Sequence, residues 1–163
     1  MAVHAAEVEE RWGAAELEVL GSLASPSAVQ GFLDSVPYSV EPVYRCPRSV
    51  LRDRTAHCFD GAVFAAAALS HHGFPARVFQ LRAVRDDDHV LATFRVDGAW
   101  GAIAKSNCSG LRYREPVFRS CRELVMSYFE LYFNVESEKT LRRYSAVLDL
   151  DRLAGRAWRF DDA

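Results

Sequence analysis

Apolar residues recur at helical spacing near the start of the chain and alternate with polar residues in its middle. Residues 5–23 carry one apolar stripe at intervals of three to four, with the glutamates lying off it, which predicts an amphipathic helix. The stripe consists of Val8, Trp12, Ala15, Val19 and Leu23. A second helix is predicted from Ser25, an N-cap residue followed by proline, to Val36, where Pro37 ends it.

The next segment predicts a loop and then a helix of unusual composition. Residues 37–48 hold three prolines and are expected to be extended, and Ser49 is a candidate cap for a short helix. Thr55 is a candidate N-cap for a third, longer helix. Residues 62–69 of that helix contain no polar side chain, so we expect a central helix that is buried all round.

The middle of the chain predicts strands. Residues 77–84 and 89–96 alternate, and Asp97-Gly98 is typical of a type I′ turn into a third strand at 99–104. The remaining predicted elements are a polar loop at 105–118, an amphipathic helix at 119–133 and a strand at 145–150. Helices followed by a largely antiparallel sheet around one central helix predict an α+β fold.

Length and charge limit the classes of protein that this chain can belong to. Its 163 residues predict one domain, 1–163, with a helical part at 1–54, a catalytic-type core at 55–107 and a C-terminal helix and strand at 108–163. The 20 Lys and Arg residues against 22 Asp and Glu give a net charge of −2. This balance argues against a nucleic-acid partner and against a polybasic membrane surface.

The apolar segments are too short for a membrane anchor. Residues 1–23 are rich in glutamate and lack the basic and then apolar order of a signal peptide. The longest apolar stretch, 61–69, falls well short of the about 20 residues of a membrane span. We therefore expect a cytoplasmic protein without a membrane partner.

Cys58 is the candidate nucleophile among four cysteines. The four lie at positions 46, 58, 108 and 121, without the CxxC spacing of zinc or redox sites. Cys58 is expected in the first turn of the central helix, where unpaired amides and the helix dipole favour a thiolate. Its own backbone amide is a candidate oxyanion donor. The alternative is a small, buried core residue.

His89 is the candidate base. His71 and His72 lie at the far end of the central helix, roughly 20 Å from Cys58 at 1.5 Å per residue. His57 adjoins Cys58, but neighbours on a helix point about 100° apart. His89 opens a strand that can pack beside the start of the helix, so geometry favours it.

A third group would orient the imidazole. With a two-residue turn at 97–98, strand partners sum to 195, so His89 lies opposite Ser106. One bulged residue, for instance at Gly101, would bring Asn107 into that place. The amide carbonyl of Asn107 can accept the imidazole N–H, so Asn107 is the candidate orienting residue and Ser106 the alternative.

The order of four sequence segments between residues 55 and 107 carries a resemblance to a known family. They are HCFDGA at 57–62, HHGFPARVF at 71–79, His89 at the start of a strand and GAWGAI at 98–103. In this order the chain resembles the transglutaminase-like superfamily, a branch of the papain-like cysteine-nucleophile fold. The resemblance implies a Cys-His-Asp triad for hydrolysis or acyl transfer at amides or esters, with Cys58 as nucleophile and His89 as base.

One position departs from that family. Where the family has its aspartate, this chain has Ala104, followed by Lys105, Ser106 and Asn107. Either Asn107 takes the place of the aspartate, or the site works as a dyad, or activity has been lost.

The leading hypothesis is a cysteine-nucleophile enzyme that acts on a peptide or a small amide or ester, without a metal or organic cofactor. A catalytically silent binding or scaffold domain of the same fold is the alternative, and it is favoured by Ala104. A redox-sensing Cys58 is a third hypothesis.

Overall fold

Helices fill the first part of the chain and a sheet fills most of the rest. The computed structural model describes residues 11–162, so the predicted first helix lies partly outside the described residues. The α-helices are α1 (Ala14–Ser22), α2 (Pro26–Ser35), α3 (Pro47–Asp53), α4 (Cys58–His71), α5 (Cys121–Phe129) and α6 (Leu150–Ala154). The strands are β1 (Arg77–Ala83), β2 (His89–Val96), β3 (Ala99–Ile103), β4 (Arg114–Phe118), β5 (Leu141–Tyr144) and β6 (Leu148–Asp149).

Capping side chains fix where the early helices begin. The Ser25 hydroxyl accepts a hydrogen bond from the Ala28 N–H at 3.1 Å, so α2 begins as predicted. The expected Ser49 cap is wrong: α3 begins three residues earlier than that cap predicts, because Pro47 suits the first helical position and Cys46 takes the N-cap. The Ser49 hydroxyl instead donates to the Asp162 carboxylate.

The strands form one antiparallel sheet in the order β4–β3–β2–β1–β5, with β6 also pairing with β1. The β2–β3 hairpin has the predicted register, from Val96 opposite Ala99 to Ala92 opposite Ile103, without a shift. Asp97 and Gly98 have φ values of 50° and 82°, as a type I′ turn requires.

Two predictions for the second half of the chain differ from the structure, one wholly and one in part. Strand β4 lies within the predicted polar loop and pairs with β3 at the edge of the sheet. The two large apolar residues of β4, Val117 and Phe118, are adjacent rather than alternating, so the sequence lacks the usual pattern of a half-buried strand. The predicted strand at 145–150 is present only as the two residues of β6, and β5 precedes it; the two strands pair with β1 on either side of Ser145. The Ser145 N–H donates to the Gln80 carbonyl between them.

Apolar side chains cover both faces of the sheet. Helix α4 packs on the face that carries Val78, Ala92 and Phe94, and α1, α2 and α3 pack around α4. Helix α5 packs on the opposite face, against Leu91 and Ala104. Residues 61–69 of α4 are all buried, so the predicted central helix and the α+β fold are confirmed. Within residues 11–162, no helix is long and apolar enough to cross a membrane.

Candidate functional site

Cys58 is the first residue of α4 and lies against the start of β2. The Tyr38 hydroxyl and the backbone N–H groups of Val90 and Phe59 lie near its thiol, and each of these donors lowers the pKa of the thiol. The β2–β3 ladder ends at Ala92, so the backbone around Val90 has no β3 partner, which leaves the thiol room beside it. Tyr38 reaches the site because its backbone bridges to that of the residue two before Cys58.

His57, and not Thr55, caps α4. The Nδ1 atom of His57 accepts hydrogen bonds from the N–H groups of Phe59 and Asp60, at 3.1 and 3.5 Å. The Asp60 carboxylate in turn accepts from the His57 N–H at 3.2 Å, which completes a capping box. Among the described residues the Cys58 N–H has no partner, so it is the amide of the first turn that a ligand can use.

Burial governs the ionisation of Cys58. Desolvation raises the pKa of the thiol, and the Asp60 carboxylate raises it further. The N–H groups of Val90 and Phe59 lower that pKa but do not reverse the shift. The expected thiolate is therefore wrong: loss of water outweighs the dipole of the helix, and Cys58 is a neutral thiol at neutral pH.

His89 is buried, with 5% of its surface exposed. Its Nε2 atom lies 2.9 Å from the Leu111 carbonyl oxygen. A carbonyl only accepts hydrogen bonds, so Nε2 carries the proton and Nδ1 of the neutral ring keeps a lone pair. Burial lowers the pKa of His89 more than the bond to Leu111 raises it. The imidazole is therefore neutral at pH 7 and able to accept a proton at Nδ1.

The Cys58 thiol lies beside the start of β2, the strand that begins with His89. The thiol faces the N–H of Val90, the residue that follows His89 in β2. Within residues 11–162, no hydrogen bond joins the Cys58 thiol to the His89 ring. Since burial raises the pKa of Cys58 and lowers that of His89, the resting pair is a thiol and a neutral imidazole.

The structure does not bring Asn107 to the imidazole. The β2–β3 ladder has no bulge at Gly101, and Asn107 is exposed. Ser106 is buried, but its hydroxyl accepts from the Cys108 N–H at 3.0 Å. The position of the expected orienting residue is thus taken by the Leu111 backbone carbonyl.

The neighbouring residues Ala104 and Lys105 serve the fold. The Gln30 side chain accepts from the Ala104 N–H and donates to its carbonyl, at 3.1 and 3.0 Å. Lys105 is 3% exposed, and its ammonium donates to the carbonyls of Leu33 and Val36 at the end of α2. Burial lowers the pKa of Lys105.

The other three cysteines differ in their exposure. Cys46 is buried, with its thiol 3.5 Å from the Ser49 hydroxyl, Cys121 is half-buried beside the α5-face core, and Cys108 is exposed. In the described part of the chain, no group of three or more His, Cys, Asp or Glu residues is placed to hold a metal ion.

Sequence reasoning missed two groups at this site, Tyr38 and the Leu111 carbonyl. Tyr38 follows a proline in a loop, and nothing in that pattern indicates that the loop returns to the start of α4. A backbone carbonyl leaves no trace in the sequence at all. The run from 105 to 111 reaches His89 only because the short 3-10 helix at Ser109–Leu111 turns the chain back.

Comparisons with known proteins found a distant likeness of fold. No family model matches the chain, and no curated protein matches it. Among solved structures the chain is similar to LapG of Legionella pneumophila in its calcium-bound form, with a TM-score of 0.45 and 12% identity. That match covers 69% of this chain and 80% of the other. A likeness at this level carries no argument about activity.

Proposed function

We propose that this chain is a cysteine-nucleophile enzyme that hydrolyses or transfers acyl groups from amides or esters. Cys58 is the nucleophile and His89 the base, and the Leu111 carbonyl holds the tautomer of His89. The observation that carries the proposal is the hydrogen bond from Nε2 of His89 to the Leu111 oxygen at 2.9 Å, because it leaves Nδ1 unprotonated one residue from the N–H that faces the thiol.

Both groups start neutral, so proton transfer accompanies the attack. As the Cys58 sulfur bonds to the carbonyl carbon, its proton passes to Nδ1 of His89 and the carbonyl electrons move to oxygen. The imidazolium then gives this proton to the leaving amine or alcohol, the bond to that group breaks, and a thioester remains. Water or an acceptor amine attacks the thioester in the same way and releases Cys58.

Two donors are available for the negative charge on the carbonyl oxygen. The Cys58 N–H has no partner among the described residues and lies at the start of a helix of 14 residues. The Tyr38 hydroxyl lies near the thiol. Desolvation raises the pKa of Tyr38, so the hydroxyl stays protonated and can donate a hydrogen bond. Donors that are fixed before the reaction are worth about 2.7–4 kcal/mol each in the transition state.

The Leu111 carbonyl has the orienting role that a carboxylate has in a catalytic triad. It fixes the tautomer of His89, as a carboxylate does, but it brings no negative charge to stabilise the imidazolium. We therefore expect a slower enzyme than one with a carboxylate in that place.

One observation favours the alternative, a catalytically silent binding domain. Ala104 is clamped on both backbone groups by Gln30, so the position expected to hold an aspartate serves only the fold. A silent domain and a slow enzyme differ in one measurable respect, which is formation of a thioester on Cys58.

The test uses 4-nitrophenyl butyrate, an ester whose leaving group is coloured. We expect a burst of one equivalent of nitrophenolate per chain, and a butyryl thioester at Cys58 in the peptide map after acid quench. The exposed Cys108 reports uncatalysed acylation in the same sample. Cys58→Ala abolishes the burst, whereas Cys108→Ala leaves it unchanged. Acylation of Cys58 no faster than that of Cys108 would overturn the proposal and favour the silent domain.

A further inference from the structure

A cavity of about 440 Å³ lies beside the candidate nucleophile. Two of its lining residues, Phe59 and Val90, are the ones whose backbone N–H groups face the Cys58 thiol. Its buried floor comes from α4 and the sheet, and its rim comes from exposed residues. The floor includes Val63 and Val78, and the rim includes Tyr44, Leu148 and Asp161. The volume is within the range of small-molecule sites.

The wall of this cavity is apolar, and its one buried cation is already neutralised. The Arg45 guanidinium lines the cavity, but it donates to Ser39, Glu41 and Asp53. A substrate carboxylate would therefore find no available charge at Arg45, and it would meet the Asp161 carboxylate at the rim. The chemistry of the wall suits an uncharged apolar group.

The cavity and His89 lie on opposite faces of the sheet, and this arrangement decides which part of the substrate the cavity can hold. Val78 and Val90 point toward α4 and line the cavity, whereas His89 alternates with Val90 and lies on the other face with Leu81. The leaving group must stay within reach of His89 to receive its proton. The group that remains bonded to the carbonyl carbon is therefore on the side of the cavity.

We propose that this cavity binds the acyl part of the substrate, an uncharged aliphatic chain of medium length. The inference rests on the proposed function for the position of the carbonyl at Cys58. It adds the substrate class: amides or esters of aliphatic acids, with chain length rather than charge as the basis of selection.

Binding is tested apart from turnover with Cys58→Ala and a series of amides from acetamide to octanamide, measured by calorimetry. Each added CH₂ that enters the cavity is expected to improve affinity roughly fourfold, until the cavity is full. Val63→Phe, which fills the floor, ends this gain at a shorter chain. Affinity that does not change with chain length would overturn the inference.

A matched pair of surface variants covers the case in which Val63→Phe fails to fold. Leu148 is 42% exposed at the rim, and Leu153 is 64% exposed on α6 and is not among the residues that line the cavity. In the Cys58→Ala background, Leu148→Arg is expected to weaken octanamide binding at least tenfold and Leu153→Arg to leave it unchanged. Equal effects of the two arginines would also overturn the inference.

Turnover separates a failure of this inference from a failure of the proposed function. If the acylation rate of the wild-type protein rises from nitrophenyl acetate to nitrophenyl octanoate and octanamide binds, the result supports both the proposed function and the acyl-binding cavity. Acylation at one rate for all esters without amide binding rejects the cavity alone. Amide binding without any thioester at Cys58 rejects the proposed function and leaves an aliphatic-ligand site.

Discussion

The two ends of the β2–β3 hairpin are built in different ways. The turn end, at Asp97-Gly98, is exposed, and Arg95 donates to the Gly98 carbonyl from three residues away. The open end, at His89 and Ala104–Ser106, is buried and is held by side chains and carbonyls from distant parts of the chain.

The difference shows which parts of the hairpin are positioned by neighbouring residues and which by contacts between distant segments. At the turn end, two residues that tolerate positive φ are enough to set the register. At the open end, Gln30 reaches Ala104 across 74 residues, Lys105 reaches Leu33 across 72, and Leu111 reaches His89. Of the two ends of the hairpin in the described chain, the open end is the one that buries titratable side chains, those of His89 and Lys105, so the candidate chemistry lies where the structure is least local.

The largest effect is expected from His89→Gln at the open end. Glutamine still donates an N–H toward the Leu111 carbonyl but accepts no proton, so the rate of Cys58 acylation falls by about 10²- to 10⁴-fold. His72→Gln is the matched control, because His72 also bonds a carbonyl, that of Leu20, through Nε2 at 2.9 Å. Stopped-flow measurement of nitrophenolate release gives both rates. A His89→Gln rate within threefold of wild type would exclude His89 as the base.

The two lysines offer the next contrast. Lys105→Met removes a buried ammonium and leaves two carbonyls at the end of α2 without their donor, which costs about 3 kcal/mol of unfolding free energy. The Lys139 side chain is 40% exposed in its ion pair with Glu130, so Lys139→Met costs at most about 0.5 kcal/mol. Urea denaturation of both variants checks the difference. Similar costs would mean that the Lys105 contacts do not stabilise the open end.

The same contrast explains how much the sequence could predict. Ser25, the turn at Asp97-Gly98 and the apolar run of α4 act through near neighbours, and the elements they predict are present. The order of Cys58 and His89 along the chain indicated the pair, which stays a prediction; the structure places His89 at the start of β2 and the Cys58 thiol near the N–H of the next residue, Val90.

The parts that sequence could not predict depend on burial and on contacts between distant segments. Position at the start of a helix indicated a thiolate at Cys58, but the sequence does not show how much water is lost there. The orienting carbonyl of Leu111 belongs to the backbone, which every residue has. His57 caps α4 with a ring nitrogen, an acceptor that cap statistics do not favour, so Thr55 was the natural choice from sequence.

A pair of glycines, Gly61 in α4 beside the open end and Gly98 in the turn, gives a smaller contrast. At the open end, a Cβ on Gly61 would lie 2.3 Å from the Cβ of Lys105, so Gly61→Ala is expected to cost about 2–3 kcal/mol through overpacking. At the turn end, Gly98 has φ +82° and space around it, so Gly98→Ala costs about 1 kcal/mol in backbone strain. Thermal and urea unfolding of the two variants measures the order, and the reverse order would contradict the close packing of α4 on Lys105.

The smallest effect is the pH dependence of stability that the open end contributes through His89. Burial lowers its folded-state pKa below the ordinary value of 6.5, so the unfolded chain takes up the proton first as the pH falls. The stabilisation is complete above about pH 6.5 and is lost as the pH falls below it, with a slope of at most about 1.4 kcal/mol per pH unit. Urea denaturation between pH 5 and 8 should show this slope in the wild type and in His72→Gln, and a flatter profile in His89→Gln. Parallel profiles for all three proteins would mean that the pKa of His89 is the same in the folded and unfolded chains, which would contradict the shift that burial is expected to cause.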